Sequence, residues 1–245
     1  MEKTYKFRIY PNNNQKQQIQ RTFGCCRFLF NHFLGKRIEQ YNESKNTLNY
    51  NECSSMLTAM KKDLTWLKEV DSTALQSSLK DLDIAYQNFF RRVKKDEKPG
   101  FPKYKSKRNH RKSYRSKRVG KNIAVLEKHI KLPKIGKVKA RISKQVQGRI
   151  LSATVSQNPS GQYYVSLCCT DVEHPKQEQT GESVGLDMGI RKHITASDGK
   201  SYPNHKYLRK SEKKLAKLQR KLSRKTKDSN NWNKARNKMV SRPHS

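Results

Sequence analysis

The first ten residues predict a single β-strand, and this strand restricts the topologies that the chain can adopt. Tyr5, Phe7 and Ile9 alternate with polar residues, and the pattern ends in a turn at Pro11. A strand needs hydrogen-bonded partners, yet residues 13–95 carry only helical periodicity. The partner strands must therefore come from later in the chain. The sequence predicts an α+β protein in which a helical segment is inserted into a small β-domain.

Residues 13–95 predict three amphipathic helices. The first has apolar residues at helical spacing from Ile19 to Tyr41, which is about seven turns, and Gly24 is a point where it could be interrupted. The second runs through residues 57–67 and the third through residues 75–93. Asp71-Ser72 supplies an N-cap for the third helix, and the basic residues at its end suit the helix dipole.

Residues 98–120 lose all periodicity and carry Tyr104 and Tyr114 among many lysines and arginines. This mixture is typical of segments that clamp phosphates and stack bases; a solvated loop is the alternative. Four short strands follow at residues 130–132, 138–142, 150–157 and 162–169, and the turn at residues 158–161 joins the last two as a hairpin. We expect them to form a small β-barrel or sheet that the N-terminal strand completes.

A polar linker at residues 171–182 precedes a different pattern. Residues 184–190 predict a buried strand that carries Asp187, and residues 192–197 return as the second strand of a hairpin. Leucines from Leu208 to Leu222 then predict one arm of a basic helical hairpin. Its second arm begins at Trp232 and stops at residues 241–245, so we expect the C-terminus to be cut off.

The charge identifies the class of partner. The chain has 55 Lys+Arg against 20 Asp+Glu, a net charge of +35, and residues 91–121 and 203–245 each contain 15 Lys+Arg and two Asp+Glu. Such an excess predicts a polyanionic partner, and nucleic acid is the favoured one. The alternative is a ribosomal or membrane-surface protein whose surface is basic. The absence of an 18-residue apolar run or a signal peptide predicts no membrane partner and a cytoplasmic location.

The five cysteines form no Cys-x-x-Cys pair and have no histidine at ligand spacing. We therefore predict buried or unreactive thiols in a reducing compartment and no metal bound through sulfur.

Six segments of the sequence form a recognisable set of motifs: YKFRIYP at 5–11, FGCCRF at 23–28, GFPKYKSK at 100–107, LPKIGKV at 132–138, SGQYYV at 160–165 and GLDMGI at 185–190. Asn31 and the Thr154-Val155 pair add to the set. Taken together, these motifs make the chain resemble the TnpB family, the RNA-guided DNA endonucleases of bacterial transposons that were long described as transposases.

The resemblance implies a domain organisation and two partners. Residues 1–12 and 97–172 would form a wedge-like β-barrel, 13–96 a helical recognition lobe, 173–182 a linker, and 183–245 the first hairpin and helix of an incomplete RNase H-like RuvC domain. The partners would be a guide RNA from the transposon end and a target DNA. The family's N-terminal helices have also been called a helix-turn-helix domain, although these residues lack a compact recognition-helix pattern.

The resemblance also places Asp187 on the first catalytic and metal-binding carboxylate of the nuclease. Cleavage by this route uses two Mg²⁺ ions held by three or more acidic groups, and the family's remaining carboxylates and its zinc ribbon would lie beyond residue 245. We therefore expect this chain by itself not to cut DNA. A non-catalytic RNA- or DNA-binding module or repressor is the alternative. The phosphate strand of actin-like ATPases and a structural turn-capping Asp are rival interpretations of the GLDMGI segment.

Sixteen basic and aromatic residues, chosen from the resembling segments and the two charge clusters, are the candidates for binding nucleic acid. They are Arg8, Arg27, Arg91, Arg92, Lys103, Tyr104, Lys105, Lys107, Arg108, Arg111, Lys134, Lys137, Lys213, Lys217, Arg220 and Arg224.

Overall fold

The computed structural model describes residues 1–107, 112–173 and 181–240. The chain divides into two compact units, Met1–Glu173 and His174–Ser245. No helix in these described ranges is long and apolar enough to cross a membrane.

The first unit begins with strand β1 (Lys3–Tyr10) and continues with helix α1 (Asn13–Ser44), helix α2 (Tyr50–Asp63), a short 3₁₀ helix (Thr65–Glu69) and helix α3 (Ser72–Lys94). The caps explain where the helices begin. Asn12 and Gln15 form a capping box on α1, Asn49 and Glu52 form one on α2, and the Asp71 side chain accepts a hydrogen bond from the Thr73 N–H. Gly24 does not interrupt α1, which is continuous over 32 residues.

Seven antiparallel strands form the β-domain of the first unit. They are β1 and then β2 (Lys112–Lys117), β3 (Ala124–Val125), β4 (His129–Leu132), β5 (Gly136–Arg141), β6 (Arg149–Gln157) and β7 (Tyr163–Thr170). The strand order is β2-β6-β7-β1-β5-β4-β3. As predicted, β1 takes its partners from the far end of the unit, with Phe7 opposite Val165 on β7 and Ile9 opposite Ala140 on β5.

The β6–β7 hairpin forms where the sequence predicts it. Gly161 adopts a positive φ of 80°, and the Asn158 side chain accepts hydrogen bonds from the Gln162 N–H and the Ser160 hydroxyl. The turn therefore fixes the register of two long core strands.

Strand β2 corrects the prediction of an aperiodic loop at residues 98–120. Its alternation is short and polar, so it does not look like a core strand in the sequence. In the structure Tyr114 is only 6% exposed and meets Phe23 of α1 edge to face at 5.6 Å between ring centroids. Tyr114 is therefore a core residue and cannot stack on a base.

The second unit has a three-stranded sheet and two helices. Strands β8 (Leu186–Asp187), β9 (Lys192–Ala196) and β10 (Ser201–Pro203) pair in the order β10-β9-β8, and helices α4 (Tyr207–Ser223) and α5 (Asn230–Val240) pack against each other.

The β8–β9 hairpin is present, but its first strand is not buried. Leu186, Met188 and Ile190 are 61%, 73% and 85% exposed, and Asp187 is exposed with them. Strand β8 pairs only with β9 in the described residues, and no layer covers its faces there. The prediction of a buried strand at residues 184–190 is therefore wrong for this structure.

Candidate nucleic-acid interface

The basic segment 103–107 is held against α1 by the side chain of Asn31. The Asn31 Nδ2 donates to the Lys105 carbonyl at 3.0 Å, and the Lys105 N–H donates to Asn31 Oδ1 at 2.7 Å. This paired contact fixes the backbone while Lys103 and Lys107 stay exposed. The segment can therefore present its cations without first paying the full cost of ordering a loop.

The Lys105 side chain crosses the face of Phe30, with its Nζ 3.8 Å from the ring centroid. Desolvation there lowers the pKa of the Lys105 ammonium, although the residue as a whole stays exposed. Lys105 also lines a cavity of about 180 Å³ together with Arg27, Cys26 and Lys112. Three cations around one small cavity form an anion-attracting pocket.

Two other candidates lie at the end of α3 and just beyond it. Arg91 and Arg92 are exposed in its last turn, and a Cβ built on Gly100 would lie 3.3 Å from Arg92 Nη1. The Arg92 guanidinium therefore lies close to the backbone at Gly100, three residues before the basic segment. Tyr104, in contrast to Tyr114, is 60% exposed and keeps the stacking role predicted for it.

Arg8 and Lys137 lie on a face of the sheet that we call the outer sheet face. It consists of the outward residues of β1, β5 and β7, which alternate with the buried core residues. Its basic and aromatic members are Lys6, Arg8, Tyr10, Lys137, Lys139, Arg141 and Tyr164. Lys134 is exposed in the β4–β5 turn, where it adopts a positive φ of 60°.

Cations and rings are interleaved on the outer sheet face. Lys6 Nζ lies 4.9 Å from the ring centroid of Tyr164, and the guanidinium carbon of Arg8 lies 5.1 Å from that of Tyr10. No outward residue of the three strands is acidic. These contacts hold the long basic side chains over flat rings and reduce the rotamer freedom that binding would remove.

Like charges also stand directly opposite each other across the strands. Arg8 pairs in register with Arg141, and Lys131 with Lys137. Directly opposed like charges destabilise a sheet. None of these four cations forms an ion pair with an acid in the described part of the chain, so the fold tolerates an electrostatic cost here.

Sequence reasoning missed five members of this face: Lys6, Tyr10, Lys139, Arg141 and Tyr164. Part of the signal was present, because the alternation that buries Tyr5, Phe7 and Ile9 also directs the residues between them outward. What the pattern lacks is the pairing of β1 with β5 and β7, which brings the five residues together.

In the second unit, four candidates form one stripe on α4. Lys213, Lys217 and Arg220 recur at helical spacing, Arg224 caps the helix end, and all four are exposed. Leu215, Leu218 and Leu222 of α4 are half-buried, as are Trp232 and Met239 on α5, whereas Leu208 is exposed. Arg108 and Arg111 lie outside the described residues.

Asp187 lies on β8 opposite Thr195 of β9. Within residues 1–107, 112–173 and 181–240, no three His, Cys, Asp or Glu side chains are grouped so that they could share a metal ion. The described residues therefore do not fit a two-metal nuclease centre, and we derive no catalytic step through one.

The cysteines offer no reactive thiol at the basic segment. Cys25, Cys26, Cys53 and Cys169 are buried and Cys168 is half-buried, all of them free. Burial raises the pKa of Cys26 to about 12, and it raises the pKa values of Cys25, Cys53 and Cys169 as well. Thiols in this state are poor nucleophiles near neutral pH.

Two family models match the chain. One, described as a helix-turn-helix domain of the IS605 OrfB group, covers residues 1–46, and the other, described as "Probable transposase" of the same group, covers residues 166–244. In the structure residues 1–46 contain β1 and the single helix α1. The match therefore concerns the sequence of the segment rather than two helices joined by a turn.

Two curated proteins are similar over nearly the whole chain. "Putative RNA-guided DNA endonuclease InsQ" of Escherichia coli (strain K12) is 37% identical over 98% of this chain and 58% of its own length. A "Putative RNA-guided DNA endonuclease" of Streptomyces pristinaespiralis is 34% identical over 100% of this chain and 60% of its own. The chain thus spans about six tenths of the length of these relatives.

A solved structure, the Cas12f1-sgRNA-target DNA complex, aligns with 92% of this chain and 62% of its own at 16% identity. Its TM-score of 0.34 is too low to support an argument about the fold. The family models and the two relatives suffice, and they confirm the resemblance found in the sequence motifs: the chain belongs to the TnpB family, the OrfB proteins of the IS605 group.

Proposed function

We propose that this chain is a nucleic-acid-binding part of an RNA-guided DNA endonuclease, and that it binds guide RNA and target DNA mainly through their phosphate backbones. The names of the relatives support this role, since both are RNA-guided DNA endonucleases by name. The proposal includes the domain boundaries given above, with a wedge-like β-barrel in the first unit and a RuvC-like domain at residues 183–245.

One observation carries the proposal: the like-charged pairs Arg8–Arg141 and Lys131–Lys137 stand directly opposed on the sheet. Their repulsion costs stability in the free protein. A phosphate bound between two such cations converts the repulsion into two attractions and releases condensed counterions. The basic segment 103–107 supplies further cations, Lys103, Lys105 and Lys107, in the same unit.

In such a complex the guide RNA would recognise the target sequence by base pairing. This would explain why the interface has so much charge and so few groups suited to contacting base edges. A protein that holds a paired guide and target needs backbone contacts along the strands, while the guide supplies specificity.

The test is the salt dependence of RNA binding by the Arg141→Ala variant. Each lost phosphate contact should reduce the slope of log affinity against log salt by about 1. The melting temperature should stay unchanged or rise, because the variant removes one member of a repulsive pair. Lys36→Ala is the matched control, since Lys36 is exposed on α1 and pairs with Glu39 at 3.5 Å. An unchanged slope in Arg141→Ala would count against the outer sheet face as a binding surface.

We further propose that this chain by itself binds without cleaving. Asp187 is one exposed carboxylate on a two-residue strand, and cleavage with Mg²⁺ would require several acidic groups around the ions. With cognate RNA, Mg²⁺ and a matched target, we expect binding and no cut. Cleavage that disappears in Asp187→Ala would overturn this part and leave the binding proposal standing. Binding without cleavage would favour a non-catalytic binding module or repressor.

A further inference from the structure

An aromatic cavity lies between the C-terminal halves of α1 and α3. Its volume is about 340 Å³, and its walls include Arg37, Tyr41, Tyr86, Phe89, Phe90 and Phe101. Sites for small organic ligands occupy roughly 300–1,000 Å³. The cavity is therefore suited to one compact flat group.

Three rings at this cavity keep much of their surface in solvent. Tyr41, Phe90 and Phe101 are 54%, 49% and 46% exposed. Phe101 is held edge-on, with its ring centroid 5.7 Å from that of Tyr86 and 5.3 Å from that of Phe89. Phe90 stacks on Tyr86 at 6.3 Å between ring centroids, and Lys45 Nζ lies 5.4 Å from the Tyr41 ring centroid. Phe90 and Phe101 are thus positioned by neighbouring rings while about half of the surface of each stays open to a ligand.

Arg37 lines the same cavity and carries a buried hydrogen-bond donor. Its side chain is 4% exposed, with Nη2 3.5 Å from Asp83 Oδ1 and the guanidinium carbon 5.1 Å from the Tyr86 ring centroid. The buried Nε–H has no hydrogen-bond partner among the residues that the structure describes. An unsatisfied buried donor destabilises a protein, so a ligand acceptor at this point would recover that loss.

Positive charge lies next to the cavity on the same helix. Arg91, Arg92 and Lys94 occupy the last turn of α3, directly after Phe89 and Phe90. The Arg92 guanidinium lies close to Gly100, the residue before Phe101. A group that enters between the rings can therefore carry a phosphate within reach of a cation.

We propose that this cavity binds a single unpaired base of the RNA held by the protein. The base would lie against the open rings of Tyr41, Phe90 and Phe101, the Arg37 Nε–H would donate to an acceptor on its edge, and Arg92 would contact its phosphate. The inference rests on the proposed function. RNA fits better than duplex DNA, because loops and bulges of RNA present unstacked bases to aromatic side chains. A purely apolar peptide side chain would leave the Arg37 donor unsatisfied.

The test compares a short single-stranded RNA with an abasic oligonucleotide of equal length and charge. The wild-type chain should bind the RNA roughly tenfold more tightly, as expected for stacking of one base. Phe90→Leu and Tyr41→Leu should remove most of this preference and leave the affinity for the abasic strand and the salt slope unchanged. Ile84→Ala is the matched control, because Ile84 is 39% exposed on α3 and does not line the cavity.

A second measurement needs no variant that could fail to fold. RNA that carries 2-aminopurine should lose fluorescence on the wild-type chain if a base stacks on a ring. An equal preference for bases in Phe90→Leu, Tyr41→Leu and the wild type would overturn the inference while the proposed function stands. An equal gain for DNA of the same sequence would contradict the assignment to RNA. Failure of the wild type to bind either strand would overturn both the inference and the proposed function.

Discussion

Asn31→Ala should release the basic segment 103–107 from α1. The side chain of Asn31 makes both hydrogen bonds to the backbone of Lys105, at 3.0 and 2.7 Å, and it does so across 74 positions of the sequence. Alanine removes both bonds and leaves the helix intact, because it has the highest helix propensity.

The size of the effect follows from the two bonds. Each neutral hydrogen bond contributes about 1 kcal/mol net, so the pair stabilises the closed segment by about 2 kcal/mol. At 1.4 kcal/mol for each factor of ten, local opening should become roughly 30-fold more frequent. Asn31→Asp keeps the acceptor for the Lys105 N–H but turns a carboxylate toward the Lys105 carbonyl, so it should lose at least about half of this free energy.

Amide hydrogen exchange at Lys105 reports the opening directly. Exchange should accelerate by about the same factor in Asn31→Ala, while amides of the β6–β7 hairpin keep their protection. RNA affinity should fall by up to that factor, because binding must then close the segment again. Asn88→Ala on the exposed face of α3 serves as the control. An exchange rate at Lys105 within threefold of the wild-type rate would refute the argument that Asn31 holds this segment.

Three further results are expected. Phe7→Ala removes a core ring that is 2% exposed, so chemical denaturation should show a decrease of about 3–5 kcal/mol in the free energy of unfolding. Thr4→Ala, at an exposed position of the same strand, should change that free energy by less than about 0.5 kcal/mol. Equal effects of the two substitutions would contradict the register of β1. Because desolvation lowers the pKa of Lys105 and a bound phosphate favours its charged form, RNA affinity should decrease from neutral toward alkaline pH, earlier than for a solvated lysine. Lys105→Arg should shift that decrease to higher pH, and an unshifted pH profile would exclude Lys105 as its cause. Limited proteolysis should cut first within residues 181–240, because Ala196 is the one buried hydrophobic residue in the described part of that range. Earlier cleavage of residues 1–107 would speak against this order.

The local elements and the family follow from the amino-acid sequence alone. Helical spacing predicted α1 and α3, alternation predicted β1 and the β6–β7 hairpin, and the turn residues at 158–161 predicted the connection. These features depend on neighbours in the chain, through propensity, capping and the period of the apolar residues. The motifs likewise identified the TnpB family from residues alone.

The surfaces that these elements present to solvent depend on long-range packing. The strand β2 exists because Tyr114 packs on Phe23 of α1, although its polar sequence resembles a loop. The exposure of Asp187 and the burial of Arg37 were equally hidden, since each depends on which layers cover the residue.

The outer sheet face shows the same division. Alternation decides that Arg8 points away from the core, but the opposition of Arg8 and Arg141 requires β1 and β5 to pair across more than a hundred residues. Periodicity assigns residues to a face of their own element. Which faces meet depends on the packing of the whole core, because each long-range pairing is stable only when the others have formed.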